Sequence, residues 1–550
     1  MRSFFSKCLR WLWPLICLGT WIGTGFYRPS TGAVLITTGV FFALWGALAL
    51  LSKRPYFAFS ASTLILLFFT LLSKLKEFFW KEKLFFTDFQ IFLDPANTET
   101  VMHYPWALAG FVIVSLLLVL IAVAGFRHAR RYPGTPLPAL LSLVLGVGLC
   151  FWSVHSYQPT WVVTLPKGQN VPTNVIMSVR ITYQNPADTI TADAGAFLAA
   201  QQQLEPSALQ TRAQKLPLPD IVLLLQESTF NPALVGDVAS GMPELGMFAP
   251  RERQAEGLLR VHTYGGGTWR SEFAALTGLS SDDFGVQAGA IYYSAVFHLN
   301  QALFAELNRL GYETYVLTPF NPASYNAQSA YEAMGVKQIR QPQNYGYPAP
   351  FNKNLWHIST ADMMKYTRTL LETEPGDKPK AVFVLTMSEH GPYDTPAANA
   401  PALKNHQGEA LSNLANYTAR LLDSDKAITD FEDWVRSDPA RRRMFVRFGD
   451  HQPAISYSDG YLTNIENPLF LTNFALVDSQ LTAQEHYPVT DIVYLPGMIV
   501  ERLAGKPSPF FQANIDARRL MNGAYVDAAD KKLLESYRAY IFKDLKAAGR

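Results

Sequence analysis

DIVLLLQES, residues Asp220 to Ser228, decides how this chain is read. Pro217 and Pro219 stand before it, five apolar residues follow without alternation, and polar residues come at once after them. A run too short for a core helix, apolar at every position and bounded by breakers, predicts a strand covered on both faces. The pattern recurs in YETYVLTPF (312–320), AVFVLTMSEH (381–390) and RMFVRFGDHQ (443–452). Helical stretches lie between them, FHLNQALFAELNRLG (297–311) and NYTARLLDSDKAITDFEDWV (416–435). Buried strands alternating with helices predict a three-layer α/β domain with a largely parallel sheet. In such domains ligands collect at the carboxyl ends of the strands.

Those ends are where ionisable residues gather. Glu227 follows the first strand, His390 the third, and Asp450 with His451 the fourth. A further stretch, TYGGGTWRSEFAALTG (263–278), places three glycines before Thr268 and a helix-forming sequence after it. Glycines let backbone approach a ligand closely, and a hydroxyl at a helix start faces the same point as the first-turn N–H groups. Taken singly, each has a plainer alternative: Thr268 as a helix cap, Asp450 and His451 as caps of the next element, Glu227 in an arginine pair, His390 as a turn histidine. Together, Glu227, Asp450 and His451 supply two carboxylates and an imidazole, suited to Mn²⁺ or Zn²⁺, with the Thr268 oxygen as a fourth ligand. A metal there makes the hydroxyl a nucleophile. His262, His298, His357, His406 and His486 lack this placement and are read as structural.

Outside this region the chain changes character. Of its 550 residues 49% are hydrophobic and the net charge is +2, which argues against bulk nucleic-acid binding and against disorder. The long apolar runs precede residue 157, and Cys8, Cys17 and Cys150 all lie in or beside them, so the remainder has no disulfide. Five segments free of charged side chains, between Arg10 and Arg28, Arg28 and Lys53, Arg54 and Lys74, His103 and Arg127, and Arg131 and His155, are each about long enough for a membrane span. Arg2, Lys7 and Arg10, then Lys53 and Arg54, then Arg127, Arg130 and Arg131 occupy loops that five spans place on one side. The positive-inside rule makes that side the cytoplasm and puts everything after residue 157 outside. Residues 74–104, rich in aromatics and lysines, read equally as an interfacial amphipathic piece or as an aromatic belt with snorkelling lysines. The expected organisation is a transmembrane domain over 1–157, a juxtamembrane connector over 158–216, a catalytic domain over 217–510 and a helical tail over 511–550.

At QES (226–228), GGGTWRSEF (265–273), EHGPY (389–393) and GDH (449–451) the chain resembles the lipoteichoic acid synthase and periplasmic glucan phosphoglycerol transferase branch of the alkaline phosphatase (sulfatase) superfamily. Weaker echoes lie in NYTARLLDSDKAITDF and TDIVYLPGMIVERLAG, and the motifs occur in family order. The resemblance implies a five-helix transmembrane domain followed by a sulfatase-like domain in a bacterial cytoplasmic (inner) membrane, with the catalytic domain on its outer, periplasmic side. It implies that Thr268 attacks the phosphorus of a phospholipid headgroup, that Glu227, Thr268, Asp450 and His451 hold one divalent metal, and that His390 contacts the phosphate. Mn²⁺ is favoured, with Mg²⁺ or Zn²⁺ as alternatives. The implied donor is phosphatidylglycerol and the acceptor an extracytoplasmic glycan or polymer.

The chain departs from the family beyond the second strand of the pattern. Tyr325 and Asn326 match an aromatic–Asn–Arg motif, and both are expected to touch substrate, but Ala327 stands in the arginine's place. Thr318 stands where a histidine is common, and Ser359 and Thr360 replace an acidic start in WHISTAD. Arg270 is a candidate replacement cation. Phosphoethanolamine transfer by the same nucleophile and metal is the alternative within the class. A sulfatase-like hydrolase and a non-catalytic lipid-binding sensor are the alternatives outside it. GGGTWRSEF has no formylglycine setting, and the expected metal ligands are all retained.

Overall fold

The computed structural model describes residues 31–80, 83–156, 171–181, 185–236, 241–438, 441–455, 460–480 and 484–549, in two compact units, 1–184 and 185–550. The connector expected over 158–216 therefore divides between the units.

In the first unit, helices α1 (Thr31–Ser52), α2 (Pro55–Trp80), α3 (Pro105–His128) and α4 (Pro136–Ser156) are long and apolar enough to cross a membrane. They fall on four of the five expected segments; the segment between Arg10 and Arg28 lies outside the described residues. Arg54 hydrogen-bonds the Phe126 carbonyl at 2.6 Å and the Ala129 carbonyl, capping the end of α3. Two of the basic loops thus meet at one end of the bundle. The 74–104 region departs from both readings at Lys76. Helix α2 continues past it, and its ammonium is buried against Asp88 at 2.8 Å and the Lys83 carbonyl at 3.1 Å. This lysine turns inward because a buried carboxylate is there to receive it, so it does not snorkel.

The second unit is built on a nine-stranded sheet. The strands are β1 (Asp220–Gln226), β2 (Ala255–Arg260), β3 (Glu313–Leu317), β4 (Gln338–Arg340), β5 (Lys380–Leu385), β6 (Arg443–Gly449), β7 (Leu471–Asp478), β8 (Glu485–His486) and β9 (Thr490–Asp491). Their order is β4-β3-β5-β1-β6-β7-β2-β8, with β9 also on β2. Pairing is parallel from β4 to β6 and antiparallel around β7. Every residue of β1 is buried. Ile221, Leu223 and Leu225 face one core layer, Val222 and Leu224 the other. The period-two alternation of a strand explains why an unbroken apolar run is needed: helices cover both faces.

On one face lie helix α5 (Thr268–Thr277) and the C-terminal helices α8 (Pro509–Leu520) and α9 (Lys531–Ala539). On the other lie α6 (Thr360–Thr373) and α7 (Ser412–Ser437). Residues beyond 510 are part of this core, since Phe511, Tyr537 and Phe542 are buried in it. The helix expected over 297–311 is broken: a 3₁₀ turn covers Ala295–His298 and a short helix Leu303–Arg309. Between them Leu299 bridges to Ala548 and the Asn300 N–H donates to the Ala547 carbonyl at 2.9 Å. The C-terminus captures backbone groups that a continuous helix would have used internally.

Candidate active site

The sheet register brings the expected residues together. Gln226 pairs with Gly449 across β1 and β6, so Glu227 and Asp450 leave adjacent strands side by side. Gly449 permits this approach: a Cβ there would stand 1.7 Å from the Thr229 carbonyl oxygen. Ser228 takes a left-handed conformation, φ 50°, and its N–H donates to Asp450 Oδ1 at 2.8 Å. The His451 N–H donates to the same oxygen at 2.8 Å, while His451 Nδ1 meets the Gln452 carbonyl at 2.9 Å. A carbonyl only accepts, so Nδ1 carries a proton and Nε2 is turned to the cluster.

Ligand atoms of Glu227, Asp450 and His451 lie within 4.8 Å of one another, and all three residues are buried. His451 Nε2 is 3.3 Å from both Glu227 Oε1 and Asp450 Oδ2, and neither Nε2 nor Oδ2 has a hydrogen-bond partner of good geometry. Buried polar atoms left unsatisfied and aimed at one point, from two carboxylates and an imidazole, fit a divalent cation. Electrostatics say the same. Burial alone would raise the Glu227 carboxyl, but the His451 imidazolium 3.3 Å away holds it at about 2. Burial and the charge of Glu227 push Asp450 well above the carboxylate range. His451, which burial would lower, is raised to about 9 by Asp450 and Glu227. The metal-free cluster therefore holds protons at neutral pH that a cation would displace.

Thr268 enters from the other side. Gly267 at the helix N-cap has φ 81°, and a Cβ there would stand 2.9 Å from Thr263 Oγ1, so glycine suits both the backbone and the space. Gly267, not Thr268, is the N-cap residue, and the Thr268 hydroxyl donates to Glu227 Oε2 at 3.0 Å. That separates it from the structural alternative of an N-cap threonine. The glycine turn is tied to the β6 end by the Gly265 N–H on the Gln452 carbonyl, 3.0 Å, and by Ser271 Oγ on the Asp450 carbonyl, 2.6 Å.

His390 follows β5. Its Nδ1 meets the Gly391 carbonyl at 2.7 Å, so Nδ1 carries a proton in this arrangement. Trp356 packs edge-on against the ring at 5.2 Å, and Arg420 binds the carbonyls of His390 and of Pro392, the latter at 2.6 Å. Glu389, wholly buried, accepts from Thr360 at 3.0 Å, Thr386 at 3.2 Å and Ser424. Thr360, which stands where an acidic residue was expected, thus supports the histidine turn through Glu389. Ser359 caps α6, accepting from the Asp362 N–H at 3.0 Å.

The residues expected to touch substrate are each engaged within the protein. Arg270 is buried, its Nε on Ser281 Oγ at 3.0 Å and its guanidinium paired with Asp282, so it is not a surface arginine. Tyr325 donates to Glu272 Oε1 at 3.1 Å, and Asn326 Nδ2 to the Tyr292 carbonyl at 2.7 Å. Ala327 is buried in the core. Thr318 accepts from the Phe320 N–H at 3.1 Å and shapes the loop after β3.

Sequence reasoning missed Ser228, Ser271 and Glu272. Glu272 was within view, since a carboxylate four residues after Thr268 lies on the same helix face. Burial pushes its carboxyl up to about 7, against hydrogen bonds from Tyr331, Tyr292 and Tyr325 that lower it.

A family model described as Sulfatase matches residues 219–497, which span all four motifs. The chain belongs to the sulfatase family. This sulfatase-family chain is 34% identical over 529 residues to an uncharacterized protein of Haemophilus influenzae, covering 92% of its own length and 94% of the relative's. It is 24% identical over 432 residues to the Rhizobium meliloti capsular polysaccharide biosynthesis protein RkpI, covering 75% and 76%. Among solved structures, the Streptococcus pyogenes phosphoglycerol transferase GacH, in complex with sn-glycerol-1-phosphate, shares the fold. The TM-score is 0.51 at 16% identity, with 65% of this chain and 94% of that one covered.

Proposed function

We propose that this protein is a membrane-anchored, metal-dependent phosphotransferase that moves glycerol phosphate from phosphatidylglycerol to a hydroxyl of an extracytoplasmic glycan or polymer. The observation that carries the reading is the Thr268 hydroxyl, set at a helix start and bonded to Glu227 inside a buried carboxylate–imidazole cluster. Thr268 Oγ attacks phosphorus, the bond to the diacylglycerol oxygen breaks, and that oxygen leaves with a proton. The phosphodiester now on Thr268 is attacked by the acceptor hydroxyl, the P–Oγ bond breaks, and the acceptor's proton restores the Thr268 hydroxyl. His390 Nε2 serves the phosphoryl oxygens or the leaving oxygen. A divalent ion held by Glu227, Asp450, His451 and Thr268 would supply charge neutralisation and a more acidic threonine hydroxyl. The glycerol phosphate headgroup is supported by the name and ligand of GacH, and a glycan acceptor by the name of the capsular relative.

In this reading the spans before residue 157 hold the catalytic region at the outer face of the inner membrane, near its lipid donor. Phosphoethanolamine transfer is the second reading, favoured by one observation: Ala327 is buried and Arg270 is held by Asp282, so neither serves a headgroup as a dedicated cation. The test is mass spectrometry of the purified full chain after incubation with phosphatidylglycerol or, separately, phosphatidylethanolamine. The expected result is a glycerol phosphate adduct on the peptide carrying Thr268, absent in Thr268→Ala. An ethanolamine phosphate adduct would replace the donor, and full turnover by Thr268→Ala would end the mechanism.

A further inference from the structure

Glu272 is a buried carboxylate that the proposed chemistry does not use. It lies one turn beyond Thr268 on α5, has no exposed surface, and has no Lys, Arg or His paired with it among the described residues. Its oxygens accept from three tyrosine hydroxyls: Oε2 from Tyr331 at 2.7 Å and Tyr292 at 2.8 Å, Oε1 from Tyr325 at 3.1 Å. Desolvating a carboxylate without a cation is costly, and apolar side chains of similar size would fill the same space more cheaply. Its three donors define the geometry that such a buried group can impose.

Tyr325 and Asn326 both take left-handed backbone conformations, φ 42° and 60°. Two consecutive non-glycine residues in that region cost about 1–2 kcal/mol each and persist only where the surroundings hold them. Tyr325 is stacked on Tyr292, with ring centroids 6.2 Å apart, and stands 6.0 Å from Trp269, the residue after the nucleophile. Phe320 joins Tyr325 at 6.4 Å to Trp356 at 4.9 Å, and Trp356 reaches His390. A chain of ring contacts thus runs from the nucleophile helix to the catalytic histidine. Glu272, on the helix that Thr268 begins, is fastened to this chain through the Tyr325 hydroxyl.

Resting on the phosphotransferase reading above, we propose that Glu272 is a positioning residue. Through Tyr325 it sets the left-handed 324–326 turn, and the aromatic wall that turn carries, at a fixed distance from Thr268. The wall would then hold the group attached to phosphorus in line with the hydroxyl, in a chain where position 327 contributes no arginine.

The experiment compares Glu272→Gln, Tyr325→Phe, their double variant and Tyr331→Phe in the full chain loaded with Mn²⁺. Glu272→Gln and Tyr325→Phe are expected to lower kcat/KM about 10- to 100-fold, the cost of an ångström-scale misplacement. The double variant should fall no further than the worse single, because both cut one link. Tyr331→Phe, which leaves the Tyr325 bond intact, should lose less than about threefold. Mn²⁺ affinity should stay within about twofold throughout, whereas amide exchange of the 321–327 segment should quicken in the first three variants and not in Tyr331→Phe. Turnover is measured on phosphatidylglycerol and on a p-nitrophenyl phosphodiester. Cleavage of the diester without transfer from the lipid would remove the headgroup reading and leave the Glu272 comparison standing. With no turnover on either, the exchange data decide. Unchanged exchange in Glu272→Gln and Tyr325→Phe, or fully multiplicative losses in the double variant, would overturn the proposal.

Discussion

Loading the cluster with metal should release protons, and the number is set by its geometry. Without a cation, Asp450 and Glu227 raise His451 to about 9, and burial beside Glu227 keeps Asp450 well above the carboxylate range. At pH 7 the imidazole is therefore protonated, yet it can bind an ion only as the neutral base. Below pH 9 each unit of pH should change the apparent affinity tenfold for every proton displaced, or about 1.4 kcal/mol. From pH 6.5 to 8.5, Mn²⁺ binding should tighten about 100-fold if His451 alone gives up a proton, more steeply if Asp450 does as well, and level off above pH 9. Titration calorimetry in two buffers of different ionisation enthalpy counts the protons directly, and His451→Gln should remove one of them. An affinity independent of pH over that range, or equal proton release in His451→Gln, would show that these residues do not form the site.

Two further outcomes concern the scaffold. His262 is buried between Asp491, 2.9 Å from Nε2, and Ser280, 3.0 Å from Nδ1; burial would lower it, but the nearby aspartates raise it to about 9. This Ser–His–Asp chain is a structural tie, because Ser280 has no exposed surface. The folded value exceeds the unfolded 6.5, so the stabilisation is complete below pH 6.5 and lost as pH rises through 9. The gap corresponds to on the order of 3 kcal/mol. Denaturation at pH 6.5 and 9.5 should show that loss in the wild type and not in His262→Gln; an identical loss in both would refute it. Gly449→Ala puts a Cβ 1.7 Å from a backbone oxygen and should cost about 3 kcal/mol or more, with loss of Mn²⁺ binding as Asp450 shifts. Thermal unfolding and calorimetry would detect it, and a wild-type melting temperature would show that the β6 end yields.

Much of the architecture was legible along the chain, and the reasons are local. Unbroken apolar runs of five residues between breakers suit a strand covered on both sides, and β1 and β5 are such strands, while β6 is fully buried although Arg447 interrupts its apolar run. Charge-free lengths near 20 residues marked four of the described apolar helices in the same way. The helix expected over 297–311 failed because the Ala547 carbonyl, more than two hundred residues later, takes the Asn300 N–H.

At the site, residue types announced a metal cluster, but only the register of β1 against β6 makes Glu227 and Asp450 neighbours. Likewise, the place of Arg270 beside Thr268 made it a candidate phosphate cation, but its pairing with Asp282 is visible only in the fold. Glu272 reads as an ordinary polar position in a helix until three tyrosines from other segments close around it. The sequence by itself determined the elements and the chemistry available at their ends, because periodicity and local composition are properties of short segments. Tertiary structure alone decided which side chains are spent on one another and which remain for a substrate, because a hydrogen bond or ion pair depends on distances of a few ångströms between segments far apart in the chain.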